Sequence, residues 1–370
     1  MEYGLLLCAV ALSKVFAYKC IEGRKLTEIA GGPLAPFRMA TEELARLLGG
    51  NREIARQIKE PSLLEWAGAE LEWCGEYGIK ALYIDDPEYP SRLRECCDAP
   101  LVLYCKGGIS LNPERTLAVV GTRKASYTGK SACIRAVRDL SHLAPAPVIV
   151  SGLAFGIDAT AHQAALDSGL KTIAVIPCGL DTIYPSSHRD LAVRIVRDGA
   201  LVTDFPRCTY PQVAHFIRRN RIIAGMADAT LVAESYDKGG SLITASLANC
   251  YDREVMAFPG RVSDQSFAGC NSLIAANQAR LVTGGSGIAA AMGWEMEKRG
   301  SRTSGGTLPF PEEDDRGKIL ALLRRESPLD FERIMEITAL PFKTLTTILL
   351  ELELNGSIVS VQGRKYAIAP

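Results

Sequence analysis

His215-Phe216-Ile217-Arg218-Arg219-Asn220-Arg221-Ile222-Ile223-Ala224-Gly225 runs toward Ala229-Thr230-Leu231-Val232-Ala233-Glu234, and Lys238-Gly239-Gly240-Ser241-Leu242-Ile243-Thr244-Ala245 follows. Three arginines within four residues lead into an apolar run, then a short strand-like segment, then a glycine-serine turn that opens a new helix. Helix, strand, turn and helix in that order are the repeating unit of a parallel α/β sheet. In such a sheet the loops after the strands gather at the carboxyl edge, where ligands bind. A Gly-Gly-Ser helix start offers free backbone N–H groups to an anion, and nearby arginines add charge and bidentate donors. The stretch is expected to form one wall of a polyanion site; the plainer alternative is a surface Arg cluster beside an ordinary turn.

Outward from this stretch the same alternation continues. Strands are predicted at Leu117–Val120, Val148–Val150, Thr172–Ile176, Leu201–Thr203, Thr230–Ala233, Val255–Phe258 and Arg280–Val282. Helices are predicted at Thr128–Leu143, Asp158–Ser168, Ser187–Val196, His215–Met226 and Ser241–Tyr251. The fold class is therefore α/β, a Rossmann-like, doubly wound and mostly parallel sheet spanning 81–295 with its entry segment. Within that entry, Leu101–Cys105 alternates toward a strand.

The flanks read differently. Residues 1–80 form a small helical domain of the SAM or helix-hairpin-helix kind, with Thr41 as an N-cap and Gly49-Gly50 as a stop. Direct DNA contact here competes with a packing or docking role. Residues 296–315 read as a linker, with Gly305-Gly306 and the acidic run Glu312–Asp315. Residues 316–370 show three helices, Arg316–Arg325, Asp330–Thr338 and Phe342–Leu354, then a hairpin of Ile358–Val361 and Lys365–Ile368. That order is a winged helix-turn-helix. Its third helix carries Lys343 as its only basic residue, so duplex binding competes with a protein contact.

The formal charge is zero but unevenly spread. Leu117–Gly284 holds 17 Lys and Arg against 13 Asp and Glu, while Met1–Thr116 holds 14 against 17. A polyanion partner would therefore meet the middle of the chain through a local patch. The eleven cysteines show no C-x-x-C pair and the four histidines stand apart, so reduced thiols, no metal and a cytoplasmic location are expected. The apolar opening Tyr3–Leu12 lacks a basic start and an A-x-A site, and reads as a buried helix; no run approaches a membrane span.

Further loops at the predicted carboxyl edge supply glycine or cations: Gly121-Thr122-Arg123-Lys124, Ser151-Gly152-Leu153-Ala154-Phe155-Gly156-Ile157-Asp158, Phe258-Pro259-Gly260-Arg261, and Gly269-Cys270-Asn271-Ser272. Asp158 is placed to cap the next helix, and His162 reads as a structural partner. Gly129-Lys130-Ser131 imitates the end of a P-loop, but position 124 is Lys and not Gly. Cys178 with Asp181 and His188 has no third orienting group. No acid–base pair, metal set or cofactor motif accompanies the loops, so binding is favoured over catalysis. A nucleotide-hydrolysing Rossmann-like enzyme is the rival reading, with Glu234 and Asp158 as its candidate carboxylates.

These motifs, in this order over some 160 residues, resemble the bacterial DNA-processing protein A (DprA/Smf) family. The resemblance rests on Gly121-Thr122-Arg123, Ser151–Ala154 with Gly156–Asp158, Cys178–Asp181 with Tyr184-Pro185, Arg219–Gly225, Gly240–Ala245, and Phe258–Arg261 with Gly269–Ile274. It implies a homodimer that binds single-stranded DNA, protects incoming strands in natural transformation, and loads a RecA-type recombinase. Arg123 and the Arg218–Arg221 group would hold phosphates and Phe216 would stack a base. The implied contact set is Gly121, Arg123, Lys124, Gly152, Phe155, Gly156, Phe216, Arg218, Arg219, Asn220, Arg221, Lys238, Gly239, Gly240, Ser241 and Arg261. The chain departs from the family at Phe155, where Arg is usual, at Gly240, where Ser is usual, and at Asp204, where Glu is usual.

Overall fold

The structure, a computed structural model, describes residues 3–294, 315–361 and 365–369. It contains two compact units, Met1–Glu297 and Lys298–Pro370.

In the first unit six helices come first: α1 (Tyr3–Val15), α2 (Cys20–Ala30), α3 (Ala35–Arg38), α4 (Thr41–Leu47), α5 (Arg52–Lys59) and α6 (Pro61–Glu76). The apolar opening is α1, with Cys8 to Leu12 buried. Thr41 does not cap α4: it is the first helical residue, and Ala40 before it offers no side-chain acceptor. Gly49 and Gly50 end that helix at φ of 64° and 92°, a backbone region that disfavours side chains.

Nine strands then build one sheet: β1 (Lys80–Tyr83), β2 (Val102–Gly107), β3 (Thr116–Gly121), β4 (Val148–Ser151), β5 (Thr172–Val175), β6 (Ala200–Thr203), β7 (Ala229–Glu234), β8 (Glu254–Ala257) and β9 (Arg280–Leu281). Their order is β1-β2-β6-β5-β4-β3-β7-β8-β9. From β6 to β9 every neighbouring pair is parallel, while β2 runs antiparallel to both β6 and β1. The seven expected strands are all present, and the entry segment adds two more at the edge. Strands β4 to β7 are buried throughout, as near-continuous apolar runs covered on both faces should be.

The covering helices are α7 (Ser91–Arg94), α8 (Tyr127–Leu140), α9 (Ile157–Asp167), α10 (Arg189–Asp198), α11 (Val213–Met226), α12 (Gly240–Cys250), α13 (Ala268–Ala275) and α14 (Gly285–Ala291). From β3 the chain steps outward through β4, β5 and β6, then returns to lay β7 on the other side of β3. The strand order therefore reverses between β3 and β7, and a crevice opens at their carboxyl ends.

The N-terminal helices share the sheet's core. Glu70 of α6 is wholly buried; its carboxylate accepts from the Arg207 backbone N–H at 2.9 Å and faces the Arg207 guanidinium at 3.2 Å. Burial raises its pKa, and both Arg207 groups oppose the rise. Among the described residues no helix is long and apolar enough to cross a membrane.

The second unit contains α15 (Asp315–Arg325), β10 (Leu329–Asp330), α16 (Phe331–Thr338), α17 (Phe342–Leu354), β11 (Ile358–Val361) and β12 (Lys365–Ile368), around a core that includes Ile319, Leu323, Ile334, Leu345 and Leu349. Asp330 is the cap of α16 and not its first residue, accepting from the Arg333 N–H at 2.8 Å. Lys343 is exposed on α17, whereas the Thr346 and Thr347 hydroxyls donate back to the carbonyls of Phe342 and Lys343. Residues 296–314 of the expected linker lie outside the described residues.

Candidate nucleic-acid interface

The crevice between β3 and β7 holds a cavity of about 600 Å³. Its walls come from the end of β3 and the loop after it (Gly121 to Arg123), the loop after β4 with the first turn of α9 (Ala154 and Asp158), one face of α11, and the start of α12. Eight expected contact residues meet there: Gly121, Arg123, Phe216, Arg219, Asn220, Gly239, Gly240 and Ser241. Lys124, Phe155, Lys238 and Arg261 are exposed but do not line the cavity, and Gly152, Gly156, Arg218 and Arg221 lie behind or beside it.

Glycines in the two loops shape the wall and do not cradle a ligand directly. Gly156 has φ of +78°, and a Cβ there would fall 2.2 Å from the Thr122 carbonyl oxygen, which accepts from the Ile157 N–H. At Gly152 a Cβ would fall 2.0 Å from Nη1 of Arg219, so the missing side chain is the space the guanidinium occupies.

That guanidinium is buried at the cavity base, where it donates to the Val175 carbonyl, and its Nε has no partner. Burial pulls its pKa down to about 10, with Asp158 opposing and Arg123 adding to the fall. Arg219 therefore stays charged at neutral pH. Asp158 is also buried, and its pKa is raised by burial against the pull of Arg219. Asp158 is not the helix cap expected from sequence. It sits in the first turn of α9, and its carboxylate accepts from the Ala154 N–H at 3.4 Å; Gly156 holds the cap position.

Arg218 and Arg221 turn away from the cavity. Both bind Oδ2 of Asp204, at 2.8 and 2.6 Å, and Arg221 also donates to the Asp98 carbonyl. Arg218 further lies over the rings of Tyr18 and Phe205, at 4.9 and 4.7 Å. Asp204 draws both guanidinium groups to that side, and neither lines the cavity, so the expected four-residue phosphate grip reduces on the cavity side to Arg219 and Asn220.

At the cavity mouth Arg123 is exposed and rides over the Phe216 ring at 4.7 Å, while Tyr184 meets the same ring edge-on at 5.4 Å. Helix α12 begins opposite. Its N-cap, Gly239, supplies no side-chain acceptor, and Ser241 spends its hydroxyl on Ser235 at 2.8 Å. The helix start therefore presents backbone N–H groups to the cavity. Tyr184, Thr122, Gln212, Val213 and Thr244 also line the space and were not among the expected contacts. On α11 the signal was helical phase: 212/213, 216, 219/220 and 223 share one face.

Of the two carboxylates a hydrolase reading would use, Asp158 lines the cavity and Glu234 does not. Glu234 is wholly buried and accepts from the Ser126 N–H at 2.9 Å, holding the start of α8. Cys178 is buried, and burial pushes its thiol up to about 12. His162 is buried against the Thr172 hydroxyl at 2.7 Å, as a structural partner would be. Gly129-Lys130-Ser131 lies inside α8. Among the described residues no three His, Cys, Asp or Glu side chains converge on a metal position.

Comparison with known proteins adds an independent line. Residues 80–293 match the family model of DNA recombination-mediator protein A, and residues 306–364 match that of the DprA winged helix domain. A putative DNA processing protein DprA of Mycobacterium tuberculosis is 33% identical over 371 residues, 95% of this chain and 92% of its own. The X-ray structure of DNA processing protein A from Streptococcus pneumoniae superposes with a TM-score of 0.67 at 33% identity, over 77% of this chain and 96% of that one. DNA processing protein A from Helicobacter pylori, a structure described for its single-stranded DNA binding mode, superposes at 0.53 with 26% identity, over 59% and 98%.

Proposed function

This chain belongs to the DNA recombination-mediator protein A family, and on that premise we propose that its first unit binds single-stranded DNA in the crevice between β3 and β7. The protein acts as a homodimer in the cytoplasm, shields incoming strands during natural transformation, and passes them to a RecA-type recombinase. It binds and does not catalyse. Its working divisions are the helical segment 1–80, the Rossmann-like domain 81–295, the linker 296–315 and the winged helix 316–370.

One observation carries the reading: an exposed guanidinium, an aromatic pair and an uncapped helix start converge on one mouth, at Arg123, Phe216 with Tyr184, and Gly240. A single strand presents the matching chemistry, phosphates for the cation and N–H groups and π-faces for the rings. Gly121, Arg123, Phe216, Arg219, Asn220, Gly239, Gly240 and Ser241 form the inner contact set. Lys124, Phe155, Lys238 and Arg261 are rim contacts, while Gly152, Gly156, Arg218 and Arg221 hold the wall in shape. The Helicobacter pylori relative described for single-stranded DNA binding supports the substrate class.

The test is a fluorescence-anisotropy titration of a labelled single strand at two salt concentrations. Arg123→Ala should lower the salt slope by about 0.7, and Phe216→Ala should cost about 1–3 kcal/mol at either salt. Arg218→Ala should leave the slope unchanged, because that cation is already paired with Asp204. A wild-type protein that ignores single strands at low salt would sink the proposal.

A further inference from the structure

Helices α8 and α9 enclose a second groove of about 420 Å³. Lys130, Ile134 and Arg138 supply its α8 wall, and Ala159, Thr160 and Gln163 its α9 wall. Lys130 and Arg138 are exposed, and neither forms an ion pair among the described residues. Eight residues of helix set their Cα atoms about 12 Å apart along the groove. The one carboxylate at the far end, Asp167, is occupied by Arg194 at 2.9 Å and by the Gln163 amide at 2.7 Å. The groove thus presents two unmatched cations over an apolar floor.

This groove shares a wall with the crevice. In the first turn of α9, Asp158 lines the crevice, while Ala159 and Thr160 line the groove. The Thr160 hydroxyl donates to the Gly156 carbonyl at 2.8 Å, next to Phe155. Phe155 itself is 48% exposed and its ring meets His188 edge-on at 4.9 Å, so an open aromatic face stands beside the shared wall.

We propose that the α8–α9 groove is an outer segment of the single-strand site, in which Lys130 and Arg138 hold phosphates of nucleotides that leave the crevice past Phe155. The inference rests on the single-strand reading of the crevice and adds a direction to it: the strand exits over β4 and α9, away from Arg261. The aromatic side chain that this chain carries at position 155 serves as the stacking step between the two segments.

The test compares full-length wild type with Lys130→Ala/Arg138→Ala and with Phe155→Ala, using oligonucleotides of about 6 and about 20 nucleotides. The double variant should bind the short strand like wild type, because that strand fits within the crevice. On the long strand its salt slope should be smaller by about 1.4, so wild type's advantage should shrink about sevenfold between about 50 and about 200 mM salt. Phe155→Ala, which also removes a rim contact of the crevice, should weaken both strands and the long one more than the short one at both salts. Equal effects on both lengths, or none on the long strand, would overturn the outer segment while leaving the crevice intact. Failure of wild type to bind either length would remove the crevice reading and this inference with it.

Discussion

His162→Asn should flatten the acid side of the first unit's stability profile. His162 is wholly buried on α9, and its Nδ1 lies 2.7 Å from the Thr172 hydroxyl. That hydroxyl donates its only proton to the Ile149 carbonyl at 2.8 Å. Nδ1 must therefore carry the ring proton and donate it to Thr172 Oγ1. A second ring proton would have to enter a dry site. Burial first, and then the charges of Arg219 and His188, drive the pKa from 6.5 down to about 3. In the unfolded chain the ring titrates normally. Because the folded value is the lower one, the unfolded state gains protons first as pH falls. Stability is thus held above about pH 6.5 and lost progressively from there toward about pH 3. Integrating between these two values gives a loss of about 2 kcal/mol from pH 7 to pH 5.

Asn keeps an N–H for Thr172 and cannot titrate, so the variant should be spared that loss. Glu70 and Asp158 have raised values and act in the opposite sense, stabilising as pH falls; they cancel in the difference between wild type and variant. Trp66, Trp73 and Trp294 are the chain's three tryptophans and all lie in the first unit, so tryptophan fluorescence in urea reports on that unit. Parallel declines of the two proteins between pH 7 and pH 5 would refute the reasoning. So would an NMR titration showing the folded His162 ring protonating near 6.5.

Asp204→Asn should destabilise the first unit by about 3–5 kcal/mol, because it strips the counter-charge from the buried Arg221 and leaves Arg218 without its partner. The same urea titration at pH 7 measures it, and a loss below about 1 kcal/mol would mean the cluster is solvated. Two glycines should behave oppositely. Gly129→Ala places a Cβ 2.0 Å from Oε2 of Glu234, where the carboxylate is already bound to Ser126, and should cost about 1–3 kcal/mol. Gly240→Ser meets nothing within 4 Å and should stay within about 0.5 kcal/mol of wild type. A reversed order in their unfolding midpoints would contradict the packing at both positions.

The alternation of strands and helices was legible because β3 to β8 are covered on both faces and read as short apolar runs between turn residues. Strand β1 was not legible: four residues beginning with an exposed Lys80 give too little alternation to separate a strand from a loop. Asp158 was misplaced by a turn detail. Gly156, at positive φ, caps α9 and starts it two residues earlier than a capping Asp158 would, and the Thr122 carbonyl of the neighbouring loop fills the space of a side chain there. The loop glycines looked like phosphate cradles because sequence cannot show what a missing side chain makes room for; at Gly152 it is Arg219.

The arginine cluster carries the deeper lesson. Read as composition, Arg218, Arg219 and Arg221 form one cationic patch, but α11 distributes them by its 100° step per residue. Residues 216, 219, 220 and 223 turn toward the crevice, while 215, 218 and 221 turn toward the N-terminal helices. On that second face His215 meets the Tyr18 hydroxyl at 3.0 Å, Arg218 stacks on the Tyr18 ring, and Arg221 reaches Cys20 and Asp98. Asp204 bridges the pair, its single negative charge offsetting part of their two positive ones. One face of α11 is thereby fixed to the turn between α1 and α2, to the start of α2 and to the entry segment, and the other presents Phe216, Arg219 and Asn220 from a rigid support. The N-terminal helices, whose charge gives no reason to touch DNA, therefore reach the site through α11. Loosening Tyr18 or Asp204 should then disturb the placement of Phe216 without removing any group from the crevice.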